Sequence, residues 1–117
     1  MPLEMSDHRV TEPAIEELEL PAVLHALSDP IRLRIVRDLS EGGACNCGAF
    51  AVPVAKSTLS HHLRVLREAG LTLTEPSGTQ RVVSLRRADI DARFPGLLDA
   101  VLAAAERESA PRIPVSA

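Results

Sequence analysis

Lys56-Ser57-Thr58-Leu59-Ser60-His61-His62-Leu63-Arg64-Val65-Leu66-Arg67-Glu68-Ala69-Gly70 is the stretch whose reading decides the fold. At helical spacing Leu59, Leu63 and Leu66 share one face, continued by Ala69, while Ser57, Ser60, His61, Arg64 and Arg67 occupy the other. Gly70 supplies the stop at the C′ position. A helix with an apolar back and a front of hydroxyls and guanidiniums can enter a DNA major groove. There its first turns would touch base edges and its arginines phosphates. The competing reading is a solvated surface helix, and the flanking sequence decides between the two.

On the N-terminal side, Asp29-Pro30 is a capping side chain followed by proline at the first helical position. The helix it opens is predicted to bury Ile31, Ile35, Val36 and Leu39, to expose Arg32, Arg34 and Arg37, and to end at Gly42-Gly43. Before it, Ile15, Leu18, Leu20, Val23, Leu24 and Leu27 recur at mixed helical intervals, with Pro21 marking a kink or a fresh start. Residues 44–55 read as a short helix around Asn46–Phe50 and a turn with Pro53. Helix, tight connection, helix is the helix-turn-helix pattern.

On the C-terminal side the period changes to two. Leu71–Glu75 alternates apolar and polar, Pro76–Gln80 is turn-rich, and Arg81–Arg86 returns as a second, basic strand. Ala88–Arg93 reads as a helical turn, and Pro95 opens a last helix with Leu97, Leu98, Val101, Leu102 and Ala105 on one face. The expected architecture is mainly α with one β-hairpin, a winged helix-turn-helix. Residues 1–13 are expected to be a flexible arm, 14–107 the domain and 108–117 a flexible tail.

A chain of 117 residues, a quarter charged and 45% hydrophobic, forms one domain, and its core must be aliphatic because Phe50 and Phe94 are its only aromatics. The acidic N-terminus lacks a hydrophobic region, so no signal peptide is expected, and no uncharged run is long enough to span a membrane. Two cysteines one residue apart are not a disulfide framework, and the cytoplasm is the expected compartment. The net charge of −3 argues against nucleic acid only as a total. Residues 1–30 carry seven acids and one base, whereas residues 61–87 carry five bases and two acids, so positive charge gathers around the candidate helix. No Gly-rich phosphate loop, complete metal-ligand cluster or nucleophile with a placed base occurs, which excludes an enzyme.

Two segments in this order, Ala26-Leu-Ser-Asp-Pro-Ile-Arg-Leu-Arg-Ile35 and Ser57-Thr-Leu-Ser-His-His-Leu-Arg-Val-Leu-Arg-Glu-Ala-Gly-Leu71, resemble the ArsR/SmtB family of bacterial repressors, over about residues 18–105. The resemblance implies a DNA-binding transcription regulator, a homodimer through its first and last helices. That would use the apolar faces carrying Leu20, Val23, Leu24, Leu97, Leu98, Val101 and Leu102. The two reading helices would then lie about one DNA turn apart, roughly 34 Å, on an imperfect palindrome. The implied DNA-facing set is Lys56, Ser57, Thr58, Ser60, His61 and Arg64, with Arg81 of the wing in a neighbouring minor groove and His62 turned inward. Ala55 stands where the family commonly has a capping serine, a loss of about 1 kcal/mol. Ser57 could cap instead, starting the helix later and withdrawing Lys56.

The family's zinc pattern on the last helix begins with Asp89-x-Asp91 but has no histidine to complete it, since none occurs after His62. Cys45-Asn46-Cys47 falls near the family's other metal position. Positions i and i+2 lie about 200° apart on a helix, so both sulfurs could meet one ion only from non-helical backbone. A third ligand would be needed, from the other subunit or from His8 or His25. Three readings of the cysteines stand side by side: a transition-metal or metalloid site, an oxidisable thiol switch, and two small buried residues. The expected function is a regulator, of repressor type, that responds to a metal ion or other small signal. Its alternatives are a thiol-based redox-responsive regulator and a winged-helix module that binds a protein co-regulator instead of DNA.

Overall fold

The computed structural model describes residues 12–46 and 50–109. A 3₁₀ turn at Ile15–Glu17 leads into α1 (Leu20–Leu27) and α2 (Pro30–Gly42), followed by a short strand β1 (Cys45–Asn46). Helix α3 (Lys56–Glu68) precedes β2 (Thr72–Ser77) and β3 (Gln80–Leu85), and α4 (Arg87–Arg93) and α5 (Leu97–Ser109) complete the described chain. It is a mainly helical fold carrying a three-stranded antiparallel sheet of order β1-β3-β2.

The start and stop signals act as their chemistry requires. Asp29 Oδ1 accepts from the backbone N–H of Ile31 at 2.8 Å and of Arg32 at 3.1 Å, satisfying two of the orphan donors of α2. Pro21 lies in the first turn of α1, so it starts a new helix and does not kink an old one. Helix α3 ends in a Schellman motif: Gly70 N–H donates to the Arg67 carbonyl and Leu71 N–H to the Leu66 carbonyl, both at 3.0 Å. Leu66 and Leu71, the apolar pair that closes such a motif, are fully buried.

The core sits where α1, α2 and α3 meet the sheet, and it is aliphatic apart from Phe50. Val23 and Ala26 of α1, Ile35, Val36 and Leu39 of α2, and Leu63 and Leu66 of α3 pack with Leu71, Val83, Ile90 and Leu98. Leu18, just ahead of α1, is 1% exposed, and its carbonyl accepts from Arg93 Nε of α4 at 3.1 Å.

Several expectations are corrected. Of the expected short helix, Asn46 lies with Cys45 in a strand paired to Val82 and Val83 of β3, which adds a third strand to the hairpin, and Phe50 is not helical; residues 47–49 lie outside the described residues. Strand β2 runs on through Pro76 and Ser77, so the turn is only Gly78-Thr79, with Gly78 at φ +63°. Pro76 is tolerated because β2 is the edge of the sheet, where a missing N–H breaks no second ladder. Helix α5 begins at Leu97, two residues after Pro95, because Gly96 at φ +83° must turn the chain first. Arg32 is buried, not exposed, and Ile31 is only half-buried, a rotation of the expected inner face of α2. Of the expected arm, Glu12 and Pro13 are anchored: Glu12 Oε2 accepts from Thr74 N–H at 2.8 Å and the Pro13 carbonyl from Arg86 Nη1 at 2.7 Å. Of the expected tail, Glu108 and Ser109 still belong to α5, while residues 1–11 and 110–117 lie outside the described residues.

Candidate nucleic-acid interface

Helix α3 turns His62, Leu63 and Leu66 inward, with Leu59 half-buried, and leaves Lys56, Ser57, Thr58, Ser60, His61 and Arg64 exposed. It starts at Lys56 with Ala55 in the N-cap place and no side-chain cap. The later start, with Ser57 as the cap and Lys56 withdrawn, is therefore corrected, because extended backbone at Ala55 (φ −66°, ψ 159°) enters the helix directly. No acid occurs in the first turn, so its free N–H groups form a locally positive end.

The hairpin stands beside this helix and the two enclose an open cleft. Lys56, Ser57, Ser60, His61 and Arg64 of α3 line it together with Arg81 of β3; Thr58 is exposed but does not line the cleft. Its floor is apolar, made by Phe50, Val52, Val54, Leu59 and Leu63. Two further residues line it: Thr74, which the sequence reading does not include, and Arg67, which that reading places on the basic front of the helix but not in the set implied by the family resemblance. The helical period that puts Arg67 on the same face as Ser60 and Arg64 is the signal for it. Its Nε is buried with no hydrogen-bond partner among the described residues. Among the described residues, four cations and no carboxylate line the cleft, an electrostatic arrangement suited to a polyanion.

The field is narrower than the sequence count suggests. Of the five bases between residues 61 and 87, Arg64, Arg67 and Arg81 reach the cleft. Arg86 is paired to Asp89 at 3.0 Å, and Arg87 to Asp91 at 3.2 Å and to Asp99. Those pairs also occupy Asp89 and Asp91, the two carboxylates of the incomplete zinc pattern.

The candidate sensing and interface residues divide. Cys45 is half-buried on β1, its thiol 3.5 Å from the Asn46 carbonyl, whereas Cys47 and His8 lie outside the described residues and His25 is exposed. Among the described residues no group of three or more His, Cys, Asp or Glu side chains is disposed to hold a metal ion. Leu20 and Leu24 are 42% and 45% exposed, and Leu97, Val101 and Leu102 are half-buried. Val23 and Leu98, by contrast, are fully buried in the chain's own core.

Residues 27–75, from the end of α1 into β2, match the family model described as a helix-turn-helix domain. The chain is 39% identical over 80 residues to an uncharacterised helix-turn-helix transcriptional regulator of Bacillus subtilis, YceK, a match covering 66% of this chain and 80% of that protein. It is 35% identical over 74 residues to the arsenical resistance operon repressor of Staphylococcus xylosus, covering 62% and 71% of the two chains. The chain belongs to the ArsR/SmtB family of winged helix-turn-helix transcriptional regulators. Among solved structures, the transcriptional repressor BigR from Xylella fastidiosa superposes with a TM-score of 0.62 at 26% identity, covering 80% of this chain and 88% of that one. As an ArsR-type regulator the chain is a DNA-binding protein and not an enzyme. The ArsR resemblance stated from the two motifs, and the mainly helical winged fold inferred around them, both hold.

Proposed function

We propose that the chain is a homodimeric repressor that reads an imperfect palindrome by laying α3 in the major groove and Arg81 of the wing in a neighbouring minor groove. The observation that carries this is the cleft between α3 and the hairpin, lined among the described residues by four cations, three small polar or imidazole side chains from the first turns of α3, and no carboxylate. Ser57, Thr58, Ser60 and His61 read base edges, while Lys56, Arg64 and the uncapped first turn of α3 hold phosphates. The exposed Leu20 and Leu24, with the half-buried Leu97, Val101 and Leu102, form the contact with the second copy; Val23 and Leu98 support it from beneath. The protein acts in the cytoplasm; no described helix is long and apolar enough to cross a membrane.

The signal acts through Cys45 and Cys47. Cys45 is paired in register with Val83, the central residue of the strand that carries Arg81, so a metal, metalloid or oxidant bound there bears on the wing. Duplexes of about 30 bp selected from a random pool provide the probe. Labelled DNA is required because the chain has no Trp or Tyr. The Arg64→Ala/His61→Ala double variant is expected to lose at least about tenfold in affinity for the selected duplex. Unchanged binding by that variant contradicts the reading. Release by arsenite, divalent metal or oxidant is expected to vanish in Cys45→Ser/Cys47→Ser.

A further inference from the structure

Among the described residues Arg32 sets a charge against its surroundings: it is a guanidinium 7% exposed inside an aliphatic core. Its three nitrogens are all used. Nε donates to the Ala26 carbonyl at 2.8 Å and Nη2 to the His25 carbonyl at 3.3 Å, both at the C-terminal end of α1. Those carbonyls carry the negative end of the helix dipole, which a buried cation suits. Nη1 lies 3.2 Å from Nδ1 of His62 on α3. A guanidinium only donates, so Nδ1 accepts and the ring proton is on Nε2, which faces Asp29 Oδ1 at 4.0 Å. Asp29 in turn receives the backbone N–H of Arg32. One side chain of α2 therefore ties α1 and α3 to the N-terminal cap of its own helix.

We infer that Arg32 and His62 are a positioning pair for the reading helix: their hydrogen bond fixes the rotation of α3 about its axis, and with it the direction in which Ser57, Ser60, His61 and Arg64 face DNA. Leucine contacts hold α3 against the core but are not directional. Leu63 and Leu66 tolerate a small roll of the helix; a bond to Nδ1 does not. His62 is adjacent to His61, which lines the cleft, so a roll at one displaces the other. Burying a guanidinium costs more than burying an apolar chain of its size, and what the cation contributes in return is a defined geometry for the side chains that read sequence. The inference rests on the proposal that α3 enters the major groove.

A positioning role separates from a merely structural one through the preference for the selected duplex over a shuffled duplex of equal length. Phosphate contacts survive a small roll, whereas base contacts do not. Labelled-DNA anisotropy at about 0.1 M salt reads both affinities, with each variant's melting curve confirming that it is folded at the assay temperature. His62→Phe keeps a buried ring without the acceptor and is expected to lose about tenfold of the preference while shuffled-duplex affinity changes less than about twofold. His62→Gln restores an acceptor and is expected to stay within about threefold of the wild type. Arg32→Lys, which keeps the charge but not the fork, is expected to fall between them and decides the matter if His62→Phe does not fold. An unchanged preference in His62→Phe or in Arg32→Lys, a parallel loss on both duplexes, or a His62→Gln variant as poor as His62→Phe overturns the inference. A wild type without any preference overturns the groove-reading proposal itself, and that result is seen before any variant is compared.

Discussion

Gly70 has φ +90°, and a β-carbon there would lie 2.0 Å from Cδ2 of the buried Leu18. Gly43 has a similar φ of +79° but nothing within 4 Å. Gly70→Ala is therefore expected to destabilise by about 2–5 kcal/mol, combining positive-φ backbone cost with overpacking, and Gly43→Ala by the backbone cost alone, about 1–3 kcal/mol at its ψ of −158°. Urea unfolding of the two variants checks the difference, and equal losses would contradict the packing account. Ala55 already has the extended backbone of an N-cap, so Ala55→Ser is expected to add about 0.5–1 kcal/mol in the same assay. The Gly70 stop and the inward turn of His62 were legible because each follows from position on a helix. Arg32 was legible in principle too: it lies four residues before Val36 and seven before Leu39, on the buried stripe. Residue type suggested exposure, and its partners, the carbonyls of α1 and a histidine thirty positions away, are visible only once the helices are assembled.

Among the elements, α2 is held by its cap and α3 by its neighbours. Burial pushes the Asp29 carboxyl up, but hydrogen bonds from the Arg32 and Ile31 backbone, with the imidazole of His62 and the guanidinium of Arg32 beside it, outweigh it and hold the group below its usual 3.8. A carboxylate held low in the folded state stabilises fully above that usual value, and the contribution is lost as pH falls through the folded value. Asp29→Asn keeps the capping oxygen without the charge. It is expected to be slightly less stable than the wild type at neutral pH, with the gap closing below about pH 4, read by urea midpoints across the acid range. A gap that persists or widens in acid would contradict the assignment. The wing was legible as a hairpin from its alternation. Strand β1 was not, because two residues carry no period and their pairing with Val82 and Val83 spans more than thirty positions. The charge distribution was half legible: Arg86 and Arg87 counted as free cations in the sequence, yet Asp89, Asp91 and Asp99 claim them in the fold.

The whole molecule carries a cationic cleft together with exposed leucines of α1 and a half-buried apolar stripe on α5. Leu20→Glu/Leu24→Glu is expected to leave the helical content unchanged and give a monomer by sedimentation equilibrium. Its affinity for the selected duplex should drop at least about tenfold, because one half-site is lost. A variant that remains dimeric would move the interface elsewhere. The dimer and the palindrome were suggested by the family resemblance, whereas the cleft that gives α3 its role follows from residues whose placement the structure supplies. The measurement that bears most directly on that role is dimethyl sulfate methylation interference on the selected duplex, which marks guanine N7 in the major groove and adenine N3 in the minor groove. The account predicts two patches of interference at major-groove N7 positions, about one helical turn or 34 Å apart, each weakened by Arg64→Ala/His61→Ala. A single patch, or interference confined to the minor groove, would contradict it.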